Sequence, residues 1–257
     1  MRICKYLLPV ALLFCLAGCF DINEQIEIKP NGSGQLSVNT DMSQLLDLMQ
    51  SYVGKEEMDK QMPNRKMDTT LQMKDLVDTS TSLSAENKEL VRKGWIHMKL
   101  NMDEKIFKAD THFPFTSIGN LQKLYNSMND GTINTNSLLK GMSTGAPDTS
   151  SGSAQMPDMN QFNGVYDFIC KDGMISRKLN AEKWKAVQAN PQFSQMKDAG
   201  SMGIEIPYTL TIIVPRPVKK IDNSLAVLSP DKKTVTLKYN FTEVLEHPEK
   251  FEYTLVY

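Results

Sequence analysis

The sequence predicts an α+β fold, in which an antiparallel sheet of several hairpins has one face covered by a few amphipathic helices. Two patterns support this prediction. Paired segments alternate apolar and polar residues on either side of a turn, and short segments with helical apolar spacing lie between them without a regular βαβ order. The 257 residues, with 40% apolar and 23% charged side chains, have the composition of a globular protein.

The first hairpin is predicted from residue 22 onward. The turn at residues 30–34 reads Pro-Asn-Gly-Ser-Gly, and strand-like alternation resumes in residues 36–40. One face of the first strand is formed by Ile22, Glu24, Ile26 and Ile28.

A helix over residues 42–53 follows the hairpin. Asp41 stands at the capping position, with Gln44 at the spacing of a capping box. Apolar residues recur at helical spacing, so one side of this helix is expected to face the sheet. A groove between the helix and the sheet is a candidate site for an apolar ligand, lined by Met42, Leu46 and Met49.

The middle of the chain is predicted to alternate between strands and helices. Extended structure is expected around residues 69–73, 96–102 and 106–113, and helices are expected at residues 85–92 and 118–128. In the second helix, the buried side is expected to consist of Leu121, Leu124 and Tyr125.

Residues 141–161 are mainly small and polar, so they predict a flexible low-complexity loop. We expect this loop to lie within a single domain of residues 19–257, although a linker between two lobes would have the same composition.

The last third of the chain is predicted to be rich in strands. A hairpin is expected over residues 165–178, with an Asp-Gly turn, and Asn180 can cap the helix that follows. Four further strands are expected at residues 208–214, 225–228, 235–241 and 251–257. In the third of these, alternation of apolar and polar residues indicates a sheet with one wet face.

The first 18 residues predict a removed signal peptide. Arg2 and Lys5 precede an apolar stretch of residues 6–16, which is too short to span ~30 Å of hydrocarbon. The residues Leu-Ala-Gly-Cys at 16–19 resemble the lipobox of bacterial lipoproteins. This resemblance implies that Cys19 becomes the lipidated N-terminus of the mature protein; an ordinary secretory signal with an incidental cysteine is the alternative.

Removal of the signal peptide leaves Cys170 as the single thiol without lipid, so no intrachain disulfide is expected. The mature chain would carry 27 cationic and 30 acidic side chains, a balance that argues against a nucleic-acid-binding protein. Two residues, Phe20 and Asp21, separate Cys19 from the first predicted strand, a reach of roughly 10 Å. The folded domain is therefore expected to rest against the bilayer.

No motif predicts catalysis or a cofactor. Ser143 lies in a Gly-x-Ser-x-Gly string, but the string falls in the low-complexity segment rather than between a strand and a helix. The three histidines, His97, His112 and His247, lack a second histidine or cysteine at ligand spacing. We therefore expect neither an enzyme nor a metal site, and Cys170 is expected to be an inert buried thiol.

The first strand, the Asn-Gly-Ser-Gly turn, the next strand and helix, and the Pro-x-Pro ending resemble uncharacterised bacterial lipoproteins of the LppM type. Together with the lipobox, this implies a lipid-anchored protein of the cell envelope. Phe20 after the cysteine favours the outer membrane. We predict a non-catalytic interaction or scaffolding module, with an envelope protein as partner; the alternative is a binder of lipid or another apolar ligand.

Overall fold

The computed structural model confirms the α+β class. It describes residues 21–44, 46, 66–80, 83–129, 133, 164–190, 193, 197 and 205–257. The described helices are α1 Met73–Thr79, α2 Ala85–Val91, α3 Ile118–Asn129 and α4 Ala181–Gln188. The strands are β1 Asp21–Ile28, β2 Gly34–Asp41, β3 Lys66–Gln72, β4 Trp95–Asn101, β5 Ile106–Phe115, β6 Tyr166–Lys171, β7 Met174–Leu179, β8 Pro207–Ile213, β9 Lys220–Ile221, β10 Ala226–Leu228, β11 Thr234–Asn240 and β12 Tyr253–Val256.

The strands form two sheets. Eight strands lie in the order β10-β11-β8-β1-β2-β5-β4-β3, and four lie in the order β6-β7-β12-β9. The described pairs are antiparallel except for β1 and β8, which run parallel in the centre of the larger sheet. Hairpin signals predict antiparallel neighbours, whereas the β1–β8 pair joins segments far apart in the sequence and has no local signal.

The first hairpin has the predicted form. Ile28 pairs with Gly34 across the turn, and Gly32 adopts a φ of 78°, which a residue without a Cβ adopts at little cost. The Asn31 side chain accepts a hydrogen bond from the Ser33 amide at 3.1 Å. The turn is therefore closed by its own residues.

Helix α1 was not predicted, and the expectation of extended structure up to residue 73 was wrong at its end. Met73 begins the helix and is fully buried together with Val77, one turn further on. A seven-residue helix presents too few repeats for its period to stand out from a strand. The predicted helices α2 to α4 are confirmed, and Leu121, Leu124 and Tyr125 form the buried side of α3.

The core lies between the two sheets and beneath the helices. The inward face of β1 meets residues of β6, β7 and β12 in one continuous apolar cluster. Tyr125 of α3 stacks on Phe168 of β6, with ring centroids 4.0 Å apart. None of the described helices is long and apolar enough to cross a membrane.

The helix predicted at residues 42–53 is described only at its start. The Asp41 carboxylate accepts a hydrogen bond from the Ser43 amide at 3.0 Å, and the Leu46 amide donates to the Met42 carbonyl at 3.1 Å. These two bonds are typical of a capped helix start. The remainder of this segment and the predicted loop at 141–161 lie outside the described residues.

Candidate functional site

The N-terminal edge of the larger sheet is the part of the structure nearest to the predicted lipidation site. Cys19 itself lies outside the described residues. Strand β1 begins at Asp21, which pairs with Asp41 at the end of β2. Asn101 and Ile106 pair at the same edge, where β4 ends and β5 begins. We call this row of strand ends the proximal edge.

The groove predicted for an apolar ligand is described in part. Leu46 is 2% exposed and packs with the equally buried Met102, with Leu100 and Phe107 partly buried around them. The Met42 amide donates a hydrogen bond to the Phe107 carbonyl at 2.7 Å. Met49 lies outside the described residues. The groove stays a prediction, and its described side is a packed apolar cluster at the proximal edge.

A cleft of about 760 Å³ lies at the opposite edge, which we call the distal edge. It is bordered by the β1–β2 turn, the start of α3 and the β6–β7 turn, and the cationic residues on it are Lys29, Lys171 and Arg216. The Arg216 guanidinium donates to the Asp172 carboxylate at 2.6 Å. The cleft therefore has a mixed polar and apolar lining, and one of its three cations is already paired.

A second cleft of about 420 Å³ lies between α3 and β6. Two amide side chains on it bind the backbone of β6, which is an edge strand of the smaller sheet. The Gln122 side chain accepts from the Cys170 amide at 2.9 Å, and Asn126 donates to the Phe168 carbonyl at 3.2 Å. These bonds cover free backbone groups of an edge strand, so they have a structural role.

A buried ionic cluster joins the two sheets. Glu24 of β1 is 4% exposed and Arg177 of β7 is 2% exposed. The Tyr208 hydroxyl donates to Glu24 Oε2, and the Arg177 guanidinium donates to the Tyr239 hydroxyl at 3.4 Å. The guanidinium also lies over the Tyr166 ring, 4.2 Å from its centroid. The strand pattern predicted that Glu24 shares a face with three isoleucines, but it contained no signal for Arg177 as its partner.

Burial sets the electrostatics of this cluster. Loss of water raises the pKa of the Glu24 carboxyl, although the Arg177 charge and the hydrogen bonds of Tyr208 and Tyr125 oppose this shift. Burial also raises the pKa of Tyr239 to about 12. Neither of the two clefts above is lined by Glu24 or Arg177. This arrangement supports a pair that holds the sheets together, since a substrate has no described path to it.

The histidines do not form a metal centre among the described residues. His97 Nε2 lies 2.8 Å from an Asp68 oxygen, and His247 Nδ1 lies 3.3 Å from Glu249. His112 contacts the Gln35 side chain. In the described ranges, no group of three histidine, cysteine or acidic side chains is arranged to hold a metal ion.

Of the two other residues considered for catalysis, Cys170 and Ser143, the structure describes only Cys170. Burial raises the pKa of the Cys170 thiol to about 12, which confirms a buried thiol that stays protonated at neutral pH. Ser143 lies outside the described residues, so its assignment to a loop stays a prediction.

The outer face of the larger sheet is largely polar. On β1 it carries Asn23 and Gln25, whereas Ile22 and Ile26 point into the core. On β4 it carries Trp95, a half-buried aromatic side chain next to the buried Ile96. The wet face predicted from the alternation in residues 235–241 is confirmed, because Val235 and Leu237 are buried.

Comparison with known proteins finds one distant likeness. No protein-family model and no curated protein matches the chain. Among solved structures, it is similar to the NMR structure of the folded domain of the Mycobacterium tuberculosis LppM protein. The TM-score is 0.34 with 7% sequence identity, over 93% of this chain and 90% of that chain. A likeness of this size transfers no property of LppM to this chain.

Proposed function

We propose that this protein is a lipid-anchored lipoprotein of the bacterial cell envelope, which acts as a non-catalytic interaction or scaffolding module close to the bilayer. One observation carries this most directly. The lipobox residue Cys19 stands two positions before Asp21, where β1 begins. Because β1 is a central strand of the larger sheet, a lipid at Cys19 would be joined to the folded body by about 7 Å of chain.

This tether determines an orientation. The proximal edge, where Asp21 and Asp41 lie, would face the bilayer. The distal edge with Lys29 and the larger cleft would lie about 23 Å further out, since each of the seven steps from Asp21 to Ile28 adds ~3.3 Å. A partner in the envelope would thus meet the distal edge or the outer face of the sheet.

A non-catalytic role is favoured by the placement of the perturbed titratable groups. Glu24 and Arg177 are buried between the two sheets, where their opposite charges attract each other. Catalytic acids and bases must reach a substrate, usually in a cleft. The shifted groups that do line the two clefts include Cys170, whose thiol burial keeps protonated, and Asp167, which is already bonded to Lys183 at 2.9 Å. Neither is placed as a free acid or base.

The alternative function is a binder of lipid or another apolar ligand in the groove between the sheet and residues 42–53. The described side of that groove favours the interaction module, because Leu46 packs against Met102 and leaves no room for a ligand between them. For location, Phe20 after the lipidated cysteine favours the outer membrane over the inner membrane.

The anchor is tested by Cys19→Ala, with Cys15→Ala as a matched control inside the signal peptide. We expect Cys19→Ala to remove palmitate labelling and to release the protein from the membrane fraction, whereas Cys15→Ala keeps both. If Cys19→Ala stays labelled and membrane-bound, the lipoprotein assignment is wrong.

A separate experiment tests whether the folded domain lies close to the bilayer. Ten Gly-Ser residues inserted between Phe20 and Asp21 keep the anchor but lengthen the tether. We expect lipid-to-protein cross-linking at the proximal edge to fall, with the membrane fraction unchanged. Equal cross-linking with and without the insert would contradict the proposed seating.

A further inference from the structure

We propose that the outer face of the eight-stranded sheet binds an uncharged polysaccharide chain, laid across the strands and in contact with Trp95. This deepens the proposed function, because it names the partner class of the interaction module and rests on that role. Two observations carry it: a row of uncharged, mostly polar side chains that crosses all eight strands, and an aromatic pair within that row.

The row follows from the strand register. Gln25 of β1 pairs with Ser37 of β2 on one side and with Thr211 of β8 on the other. The same side-to-side pairing continues to both ends of the sheet without an acidic, lysine or arginine side chain. In order across the sheet the row consists of Val227, Thr236, Thr211, Gln25, Ser37, His112, Trp95 and Gln72.

Most of this row is accessible. Val227 is 68% exposed and Gln72 is exposed at the two ends, while Gln25, Thr211 and Thr236 are partly exposed between them. Ser37 is buried, so the longer side chains on either side of it would contact the polysaccharide instead. The surface offers hydroxyl and amide groups, which both donate and accept hydrogen bonds as sugar hydroxyls do.

The aromatic pair lies near one end of the row. Trp95 and His112 stack with ring centroids 4.0 Å apart and planes 22° apart. The Gln35 side chain contacts His112 on the same face. Burial lowers the pKa of His112, with Asp110 opposing this shift, so burial favours the uncharged ring. His112 covers one face of the Trp95 indole, so a sugar ring would contact the part of the indole that stays exposed, which combines an apolar surface with one polar group.

The spacing of the strands is close to the repeat of sugar rings along a polysaccharide chain. Neighbouring strands lie ~4.8 Å apart, and sugar rings joined end to end repeat about every 5 Å, so successive strands can meet successive rings. Sheet twist limits this match to a few strands on either side of the centre. The stretch from Thr211 to Trp95 covers five strands.

Charge argues for an uncharged partner. Beside the aromatic pair, Lys108 lies 2.9 Å from Asp41 and Lys99 lies 3.8 Å from Asp68, while Asp110 accepts a hydrogen bond from Asn39 at 2.7 Å, so this region has no excess of cations. A nucleic acid or an anionic surface would need an excess of cations. A second copy of this chain, packed sheet against sheet, would need an apolar face, and Val227 is the single large apolar side chain in the row besides Trp95.

The test is calorimetric titration of the full-length protein in detergent micelles with two uncharged oligosaccharides, the hexamers of β1,4-linked N-acetylglucosamine and of β1,4-linked glucose. We expect binding of at least one hexamer. Trp95→Ala should weaken that binding about tenfold, and Trp95→Phe should restore part of it. Trp184→Ala is the matched control, because Trp184 lies on α4 and packs edge-on against Phe193.

A second variant keeps the proposal testable if Trp95→Ala does not fold. Gln25→Ala removes an amide from the centre of the row without touching the core, and should weaken binding severalfold with an unchanged urea midpoint. Failure of the wild-type protein to bind either hexamer, or binding that is the same in Trp95→Ala and Gln25→Ala, would overturn the assignment. A dimer in sedimentation that Trp95→Ala dissociates, without sugar binding, would identify a second copy as the occupant instead.

The Cys19→Ala variant tests the lipid anchor and the sugar site independently of each other. Cys19→Ala is expected to bind the hexamer as the wild type does, because Cys19 is not one of the eight residues of the row. Release of Cys19→Ala from membranes without any sugar binding would leave the lipoprotein assignment intact and remove the sugar site.

Discussion

Acidic and cationic side chains meet on both faces of the larger sheet, with opposite surroundings. On the inner face, Glu24 and Arg177 are at most 4% exposed and are ringed by tyrosines. On the outer face, Asp68 lies beside His97 and Lys99 with 64% of its side chain exposed. The residue types are similar, and the exposure to water is what differs.

The difference shows that burial rather than pairing determines how much such a contact matters. Water and salt screen the exposed pair, so either partner can be lost at little cost. The buried pair has been removed from water, so each charge depends on the other and on the tyrosine hydroxyls. Removing one of the two buried charges is therefore expected to cost more stability than removing an exposed one.

The largest expected effect is that of Arg177→Ala. It leaves Glu24 buried without its counter-charge, and we expect the free energy of unfolding to fall by about 3–5 kcal/mol. Urea-induced unfolding followed by circular dichroism measures this. Lys99→Ala on the outer face is the matched control and should leave the midpoint unchanged. The double variant Glu24→Gln with Arg177→Met should lose less than Arg177→Ala alone; an equal or greater loss would mean that the charges are not coupled.

A smaller effect is expected for Tyr208→Phe. The hydroxyl donates to a buried carboxylate, and losing such a bond costs about 1.5–3 kcal/mol. Tyr253→Phe serves as the control, because the Tyr253 hydroxyl has no hydrogen-bond partner among the described residues. The same unfolding measurement separates the two. Equal stability of the two variants would show that the hydroxyl of Tyr208 does not support Glu24.

The smallest expected effect is a difference in pH dependence between the two faces. The pKa of Glu24 is raised, chiefly by burial, so the folded state holds its proton more tightly than the unfolded chain. The contribution of Glu24 to stability therefore falls as the pH rises above its ordinary value of 4.5. The hydrogen bond from His97 lowers the pKa of Asp68, so its contribution is present above 3.8 and is lost as the pH falls.

Unfolding midpoints measured from below to above pH 4.5 test these opposite slopes. Glu24→Gln should gain stability relative to the wild type as the pH rises, and Asp68→Asn should not. A stability difference between Glu24→Gln and the wild type that is independent of pH would contradict the raised pKa.

Local patterns predicted most of the elements. The alternation around Ile22 and Ile26 placed β1, and the Asp-Gly turn placed the β6–β7 hairpin, where Gly173 has a φ of 80°. Asn180 caps α4 by accepting the amides of Glu182 and Lys183 at 3.1 Å, as its position predicted. Each of these signals arises within a few residues, so it can be recognised without knowledge of the partner.

Helix α1 and the arrangement in two sheets were not predictable in this way. The seven residues from Met73 to Thr79 carry too little periodicity, and their conformation depends on a pocket that distant strands supply to Met73 and Val77. The parallel pairing of β1 with β8 likewise depends on how the chain returns to the sheet centre. The row of side chains on the outer face could be identified only once the register of all eight strands was known.

The sequence by itself determined the α+β class and the face on which Glu24 lies, because both depend on local spacing and composition. The tertiary structure alone decided that Arg177 lies close enough to Glu24 to act on its charge, that Trp95 stacks on His112, and that uncharged side chains align across the sheet. Those contacts join strands distant in sequence, and their partners are set by sheet order and register, which no local pattern contains.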